Sequence, residues 1–410
     1  MLFVNEQYYT IGDLEKYHQA FEHLLELQDC QNKRIAACLP DAFSCIALCL
    51  YIWKKGGSFV PIHVATPFLA AKEIARESAA HVLFFHSFED ATIIKKEQNE
   101  REGFLVQMSS GTTGTPKQIL RTWLMIEEEL EAYTSVFPEH VGSTTIIACP
   151  VTHSYGLISG VFAALKRGST PVIITNSNPK YVLRILREHP DHILYAAPAL
   201  LHMLVQLAKP VGQFNAVMTS GTLMPQSWLD ALCLTANRVL QQYGCSETGC
   251  VTLHPDLRHA EEMGRALPHV RIQTGTEDAP GEIVISTKHG KIFTKDIGYV
   301  KGDMLCFVTR QDDMINVAGL NVYPSVVEKV LLLDERLEEA VVYKKQDMYA
   351  GERVCAQFTS VAVIEITELL ILCQKYLAPH QIPVELVQVD EIKKLPNGKV
   401  SRRMLGGIMV

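Results

Sequence analysis

Apolar positions in the first two thirds of the chain follow two alternating rhythms, a helical repeat near 3.6 residues and short unbroken runs. Thr10 and Asp13 open a helix that carries Leu14, Tyr17, Phe21, Leu24 and Leu25 on one face. Asp41 caps a second helix, 42–55, which is apolar nearly all round and stops at Gly56-Gly57. A helix with no polar face is a buried one. Residues 58–62 then read as a strand, 68–78 as a helix and 81–85 as a strand. Further strands are expected at 144–150, 171–175, 192–196 and 216–219, with helices between them. This alternation predicts an α/β fold whose mostly parallel sheet is covered on both faces.

The pattern changes near residue 275. Short apolar runs at 281–285 and around Phe293, Tyr299 and Leu305, separated by glycines and charges, predict a small barrel-like element. Beyond Asp313 a compact α+β unit is expected: helix 324–333, strands 339–343 and 354–358, a helix near 368–376 and strand 384–389. The polar stretch 310–313 has the character of a hinge. The expected division is a large N-terminal domain, 1–310, and a small mobile C-terminal cap, 311–410.

At 410 residues the chain exceeds one ordinary domain, and 48% hydrophobic against 20% charged residues is the balance of a globular protein. The net charge of −7 comes with no basic block, which argues against nucleic acid as a partner. The start lacks a basic-then-apolar secretory pattern, and the most apolar run, 45–53, is far short of the roughly 20 residues that span a bilayer. No membrane is expected. Eleven cysteines scattered through apolar segments read as reduced, buried thiols of a cytoplasmic protein.

The chemistry concentrates at residues 109–117, Ser-Ser-Gly-Thr-Thr-Gly-Thr-Pro-Lys, directly after the apolar run 104–108. Gly111 and Gly114 free the backbone to turn successive N–H groups toward one anion. Ser109, Ser110, Thr112, Thr113 and Thr115 add hydroxyl donors, and Lys117 adds a charge. The segment suits a polyphosphate. Composition alone also fits a flexible linker. It is not the Walker A pattern, because Pro116 precedes the lysine and Gln118 follows it.

Four other stretches resist a packing explanation. Tyr243-Gly244-Cys245-Ser246-Glu247-Thr248-Gly249 follows an apolar strand, and loops at the C-terminal ends of strands are where open α/β sheets hold ligands. Ser220-Gly221-Thr222 closes another strand, Gly302-Asp303 sits in a turn, and Pro396-Asn397-Gly398-Lys399 is a turn bearing a lysine. Singly, each reads as a turn, a cap or a solvated charge.

Together, and in this order, they resemble the motifs of the acyl-adenylate-forming, AMP-binding superfamily. That group includes acyl- and aryl-CoA ligases and adenylation domains of peptide synthetases. Gly56-Gly57-Ser58-Phe59-Val60-Pro61 and the stretch 310–319 match further family elements.

The resemblance implies a two-step reaction: carboxylate and ATP give acyl-AMP and pyrophosphate, and a thiol then takes the acyl group. It assigns the β/γ-phosphates to the 109–117 loop, Mg²⁺ to Glu247 and the α-phosphate to Ser246. Asp303 would take the ribose hydroxyls, with Arg310 beside it, and Gly221, Thr222, Tyr243 and Gly244 would line the adenine slot. Lys399 would bridge carboxylate and α-phosphate as the catalytic lysine, and Asp312 would be the hinge.

His153 matches the family's pocket histidine. Ser154, Tyr155, Thr219 and Ser220 beside it are polar, while Ala197, Pro198 and Leu201 are apolar. Such a pocket suits a hydroxylated aromatic acid such as dihydroxybenzoate better than an alkyl chain. The short layout resembles aryl-acid–AMP ligases of siderophore synthesis, the petrobactin pathway among them, which load the phosphopantetheine of a carrier protein. The alternatives are an acyl- or aryl-CoA ligase, with CoA as acceptor, and a catalytically dead nucleotide-binding module.

Three departures stand out: Gln118 where the family usually has Gly, Asn321 where many members have Arg, and a chain about a hundred residues shorter than usual.

Overall fold

A computed structural model describes residues 1–94, 102–109, 117–137, 143–176, 178–208, 214–317, 320–347, 351–394 and 400–407, with Ser109 and Lys117 as backbone only. Packing divides the chain into two units, 1–271 with 287–292, and 272–286 with 293–410. The barrel-like strands therefore cluster with the C-terminal segment.

The first unit is built on two layers of strand. In chain order these are β1 (Leu2–Val4), β2 (Gln7–Tyr9), β3 (Arg34–Cys38), β4 (Ser58–Pro61), β5 (Val82–Phe85), β6 (Ala91–Ile93), β7 (Phe104–Ser109) and β8 (Lys117–Thr122). There follow β9 (Thr144–Ile147), β10 (Pro171–Ile173), β11 (His192–Ala196), β12 (Phe214–Thr219), β13 (Ala236–Cys245), β14 (Gly249–His254) and β15 (Glu262–Ala266). One sheet runs β6-β5-β3-β4-β7-β8, parallel at its centre and antiparallel at both edges. In the other, β13-β12-β11-β9-β10-β1 are all parallel, with antiparallel β14 and β15 beyond β13 and β2 beyond β1.

Local chemistry explains the elements. Thr10 and Asp13 form a reciprocal capping box on helix Ile11–Glu22. The Asp41 carboxylate accepts from Phe43 and Ser44 N–H at 3.3 and 2.7 Å, opening helix Ala42–Lys55, which ends at a left-handed Gly56. Gly57 has no room for a side chain, since a Cβ would strike the Cys30 carbonyl, and Gly103 sits equally close to the carbonyls of Gly56 and Gly57. The Gly-Gly element thus lets β7 start against the end of that helix. Trp123 Nε1 donates to the Gly57 carbonyl at 2.8 Å and its ring stacks on Trp53. A hydrophobic cluster of Ile146, Leu194, Leu201, Phe214, Val217 and Leu229 fills the space between the second sheet and its helices. Leu201, expected in a pocket wall, belongs to this core.

In the second unit Gly290–Lys301 pairs antiparallel with Met304–Arg310 across the turn at Gly302, whose φ is 65°. Leu337–Asp347 pairs antiparallel with Gly351–Ser360, which takes Glu385–Gln388 in parallel. Helices Pro324–Leu331 and Ile366–Tyr376 pack on this sheet through Val327, Leu331, Leu369 and Cys373, against Val342, Ala356 and Phe358.

Candidate active site

Because β9, β11, β12 and β13 are parallel neighbours, their C-terminal ends share one edge of the sheet. The segments leaving that edge carry His153 after β9, Ala197 after β11, Ser220, Gly221 and Thr222 after β12, and Ser246 and Glu247 after β13. These seven residues named from the sequence, and Ser154 with them, are thereby brought to one rim by topology alone.

Hydrogen bonds fix this rim. Ser154 Oγ donates to Gln107 Oε1 on β7, joining the two sheets two residues before Ser109. Ser220 Oγ donates to the Gln242 carbonyl at 3.0 Å. Tyr155 OH donates to the Met218 carbonyl at 2.6 Å, so this hydroxyl is committed to backbone. Beneath it lies a buried polar chain: Tyr133 OH meets Tyr195 OH at 2.9 Å and donates to Gln242 Oε1 at 3.0 Å, and Gln242 Nε2 donates to Ser159 Oγ at 3.0 Å. Burial pushes the Tyr133 and Tyr155 phenols well above their ordinary range, so both stay protonated and available as donors.

Residues Tyr155–Phe162 form a π-helix, a widened turn often found at functional sites. Gly156 abuts the Pro150 carbonyl so closely that a Cβ would clash, which fixes the loop bearing His153. His153 is exposed and Ser154 half-buried at the start of this helix. Ala197 is an exposed N-cap residue and Pro198 the first residue of helix Pro198–Leu207.

The β13–β14 turn is held by glycine. A Cβ on Gly244 would strike the Gly249 carbonyl, and the pairing register shifts at Tyr243/Gly244. Tyr243 is buried, Ser246 exposed and Glu247 half-buried. Burial pushes the Cys245 thiol up to about 11, so the cysteine inside this motif is no nucleophile. All eleven cysteines are free.

Residues 110–116 and 395–399 lie outside the described residues, and with them Ser110, Gly111, Thr112, Thr113, Gly114 and Lys399. Their flanks are informative. Ser109 pairs with Lys117 across the β7–β8 hairpin, so residues 110–116 connect two paired strand ends. Gln118, the departure from the family pattern, accepts from Arg34 Nη1 at 3.0 Å and donates to the Glu77 carbonyl. It secures the hairpin exit to the neighbouring strand and helix.

In the second unit, Asp303 is exposed in the Gly302 turn, Arg310 Nε lies 3.4 Å from Asp296, and Asp312 sits in the 3₁₀ turn Gln311–Asp313, 3.9 Å from Lys295 Nζ. Arg402, three residues beyond Lys399, donates to Asp313 Oδ2 at 3.2 Å, Glu328 Oε1 at 2.8 Å and the Val342 carbonyl at 2.9 Å. Asn321 Oδ1 accepts from Asn316 Nδ2 at 3.2 Å.

Sequence reasoning missed Gln107, Arg121, Glu129, Tyr133, Tyr195 and Gln242. Arg121 carried little signal, because only Ile119 and Leu120 are apolar in its strand Lys117–Thr122. Glu129 carried none, hidden in a run of glutamates that reads as a solvated face.

A family model described as AMP-binding enzyme matches residues 95–302. The chain is 38% identical over 408 residues to a 3,4-dihydroxybenzoate–[aryl-carrier protein] ligase of Bacillus anthracis, covering 99% of this chain and 98% of that one. It is 28% identical over 336 residues to a 2-succinylbenzoate–CoA ligase of Bacillus licheniformis, covering 73% and 69%. Among solved structures, o-succinylbenzoate CoA synthetase from Bacillus subtilis, in complex with its acyl-adenylate intermediate, superposes with a TM-score of 0.83 at 19% identity over 98% of this chain and 94% of that one. ATP-bound MatB from Rhodopseudomonas palustris gives 0.83 at 17% identity over 97% and 92%. At such identities these two speak for the fold.

Proposed function

We propose, for a chain that belongs to the AMP-binding enzymes, that it activates 3,4-dihydroxybenzoate as the acyl-adenylate and transfers it to the phosphopantetheine thiol of an aryl carrier protein. The observation that carries the substrate and acceptor is the 38% identity, spanning essentially both chains, to a ligase of that description. The parent activity is AMP-forming ligation of a carboxylic acid to a thiol at the expense of ATP.

In the first half-reaction the carboxylate oxygen attacks the α-phosphorus of ATP, the bond to the bridging oxygen breaks, and pyrophosphate leaves. The 109–117 segment, set on the β7–β8 hairpin, would supply backbone N–H groups and hydroxyls to the β- and γ-phosphates. Gly221, Thr222 and Tyr243 would enclose the adenine, and Asp303 the ribose. His153 and Ser154 would stand where the carboxylate and the entering thiol meet.

Lys399 would neutralise the charge gathering between carboxylate and α-phosphate, an interaction stronger in the transition state than before it. The large adenylating domain would end near 310 and the cap turn about Asp312 between half-reactions.

A magnesium ion fits the donor set. Glu247 is a half-buried carboxylate, and no cluster of three or more His, Cys, Asp or Glu residues forms a metal cage among the described residues. Mg²⁺ favours one or two carboxylates completed by phosphate and water oxygens. Its contribution when bound with ATP is to offset polyphosphate charge. Among the described residues no helix is long and apolar enough to cross a membrane.

The acceptor is tested by offering the adenylating enzyme a phosphopantetheinylated aryl carrier protein or free CoA and weighing the products by mass spectrometry. Acyl-carrier product at a rate at least tenfold above acyl-CoA is expected. Preferential acyl-CoA formation would return the chain to the CoA ligases.

A further inference from the structure

We infer that Glu129 is a positioning residue for ATP, holding the phosphate-loop hairpin and the Glu247 turn in one register. This rests on the reading of those two segments as the ATP-grasping loops. Glu129 lies on helix Trp123–Ser135, and its side chain is 2% exposed.

One carboxylate oxygen accepts from Nη2 of Arg121, which is 1% exposed on β8 four residues past Lys117. The other accepts from the Cys250 N–H at 2.7 Å, at the head of β14 and three residues past Glu247. Gly249, with φ of 75°, lies so close that a Cβ there would collide with this carboxyl group. The glycine that ends the Tyr243–Gly249 motif is thus the space into which Glu129 fits.

A solvated glutamate would do none of this. Burying a carboxylate is costly unless it is paired, and a buried pair contributes little net stability against apolar residues of equal volume. What this pair does provide is geometric. The two strands it links, β8 and β14, belong to different sheets, and each begins where a segment assigned to a different part of the same nucleotide ends. Fixing their separation sets where the end of the β7–β8 hairpin stands relative to the Glu247 turn before ATP arrives.

The test compares the wild type with two double variants that both remove the ion pair, Arg121→Met/Glu129→Met and Arg121→Met/Glu129→Gln. Paired replacement avoids stranding a lone buried charge. ATP affinity is read by calorimetry without acid present, beside melting temperature and the KM values for ATP and acid in pyrophosphate exchange.

The Met/Met variant is expected to melt within about 5 °C of wild type, to bind ATP about tenfold more weakly, and to keep its KM for acid within twofold. The Met/Gln variant retains an acceptor for Cys250 N–H and should recover about half of that loss on a logarithmic scale. If Met/Met fails to fold, Met/Gln alone carries the test, with about threefold weaker ATP binding expected.

ATP affinity within twofold of wild type in a folded variant would overturn the inference, as would ATP and acid KM rising together. Because ATP binding is measured directly, a wrong assignment of the acid leaves this result intact.

Discussion

Single side chains in this molecule are settled by whether their polar atoms find partners. His192 on β11 is 1% exposed; its Nε2 accepts from the Asn215 N–H at 3.2 Å while Nδ1 lies 2.6 Å from the His189 carbonyl. A backbone N–H can only donate, so the ring is neutral with its proton on Nδ1. Burial accordingly lowers its pKa from the ordinary 6.5. Burial lowers those of His18, His254 and His269 as well. In each case the unfolded chain takes up the proton first on acidification. Stability is full above about pH 6.5 and falls as pH drops below it toward the lower folded values. Chemical denaturation between pH 7.5 and 5 should show this acid limb, and His192→Gln should make it shallower. An unchanged slope in the variant would remove His192 from the account.

At the scale of elements, what was legible in the sequence depended on how local its cause is. The Asp41-capped helix appears at 42–55 because cap, apolar surface and terminal glycine all lie within sixteen residues. Asp41→Ala should cost about 1 kcal/mol, read as a lower denaturation midpoint with unchanged slope; no change would mean that packing alone holds the helix end. Strand β11 coincides with the expected 192–196 for the same local reason.

The short β1–β2 hairpin escaped notice because three-residue strands carry too little pattern. The π-helix at 155–162 escaped because its apolar residues fit an ordinary helix equally well. The candidate site was legible as motifs, since glycines, hydroxyls and carboxylates cluster where backbone must approach a ligand. What holds those motifs together was not. Glu129 meets Cys250 across 121 residues, and Gln242 meets Tyr133 across 109. No window on the sequence can show either.

Across the whole molecule, the sheet order is what turns scattered motifs into a site. Four crossovers from β9 through β13 place β9, β11, β12 and β13 side by side, and the site residues between 153 and 247 emerge along one edge. Arg402 links the segment after Lys399 to Asp313, beside the proposed pivot, so hinge and lysine would move as one body.

The central claim is that this edge makes acyl-AMP from an aryl acid. Acid-dependent exchange of labelled pyrophosphate into ATP tests it most directly, across benzoic acids, fatty acids and amino acids. Exchange that is strongest with 3,4-dihydroxybenzoate and at background with fatty acids and amino acids is the predicted result. Exchange supported by alkyl acids alone, or by none of the acids with correctly folded enzyme, would contradict it.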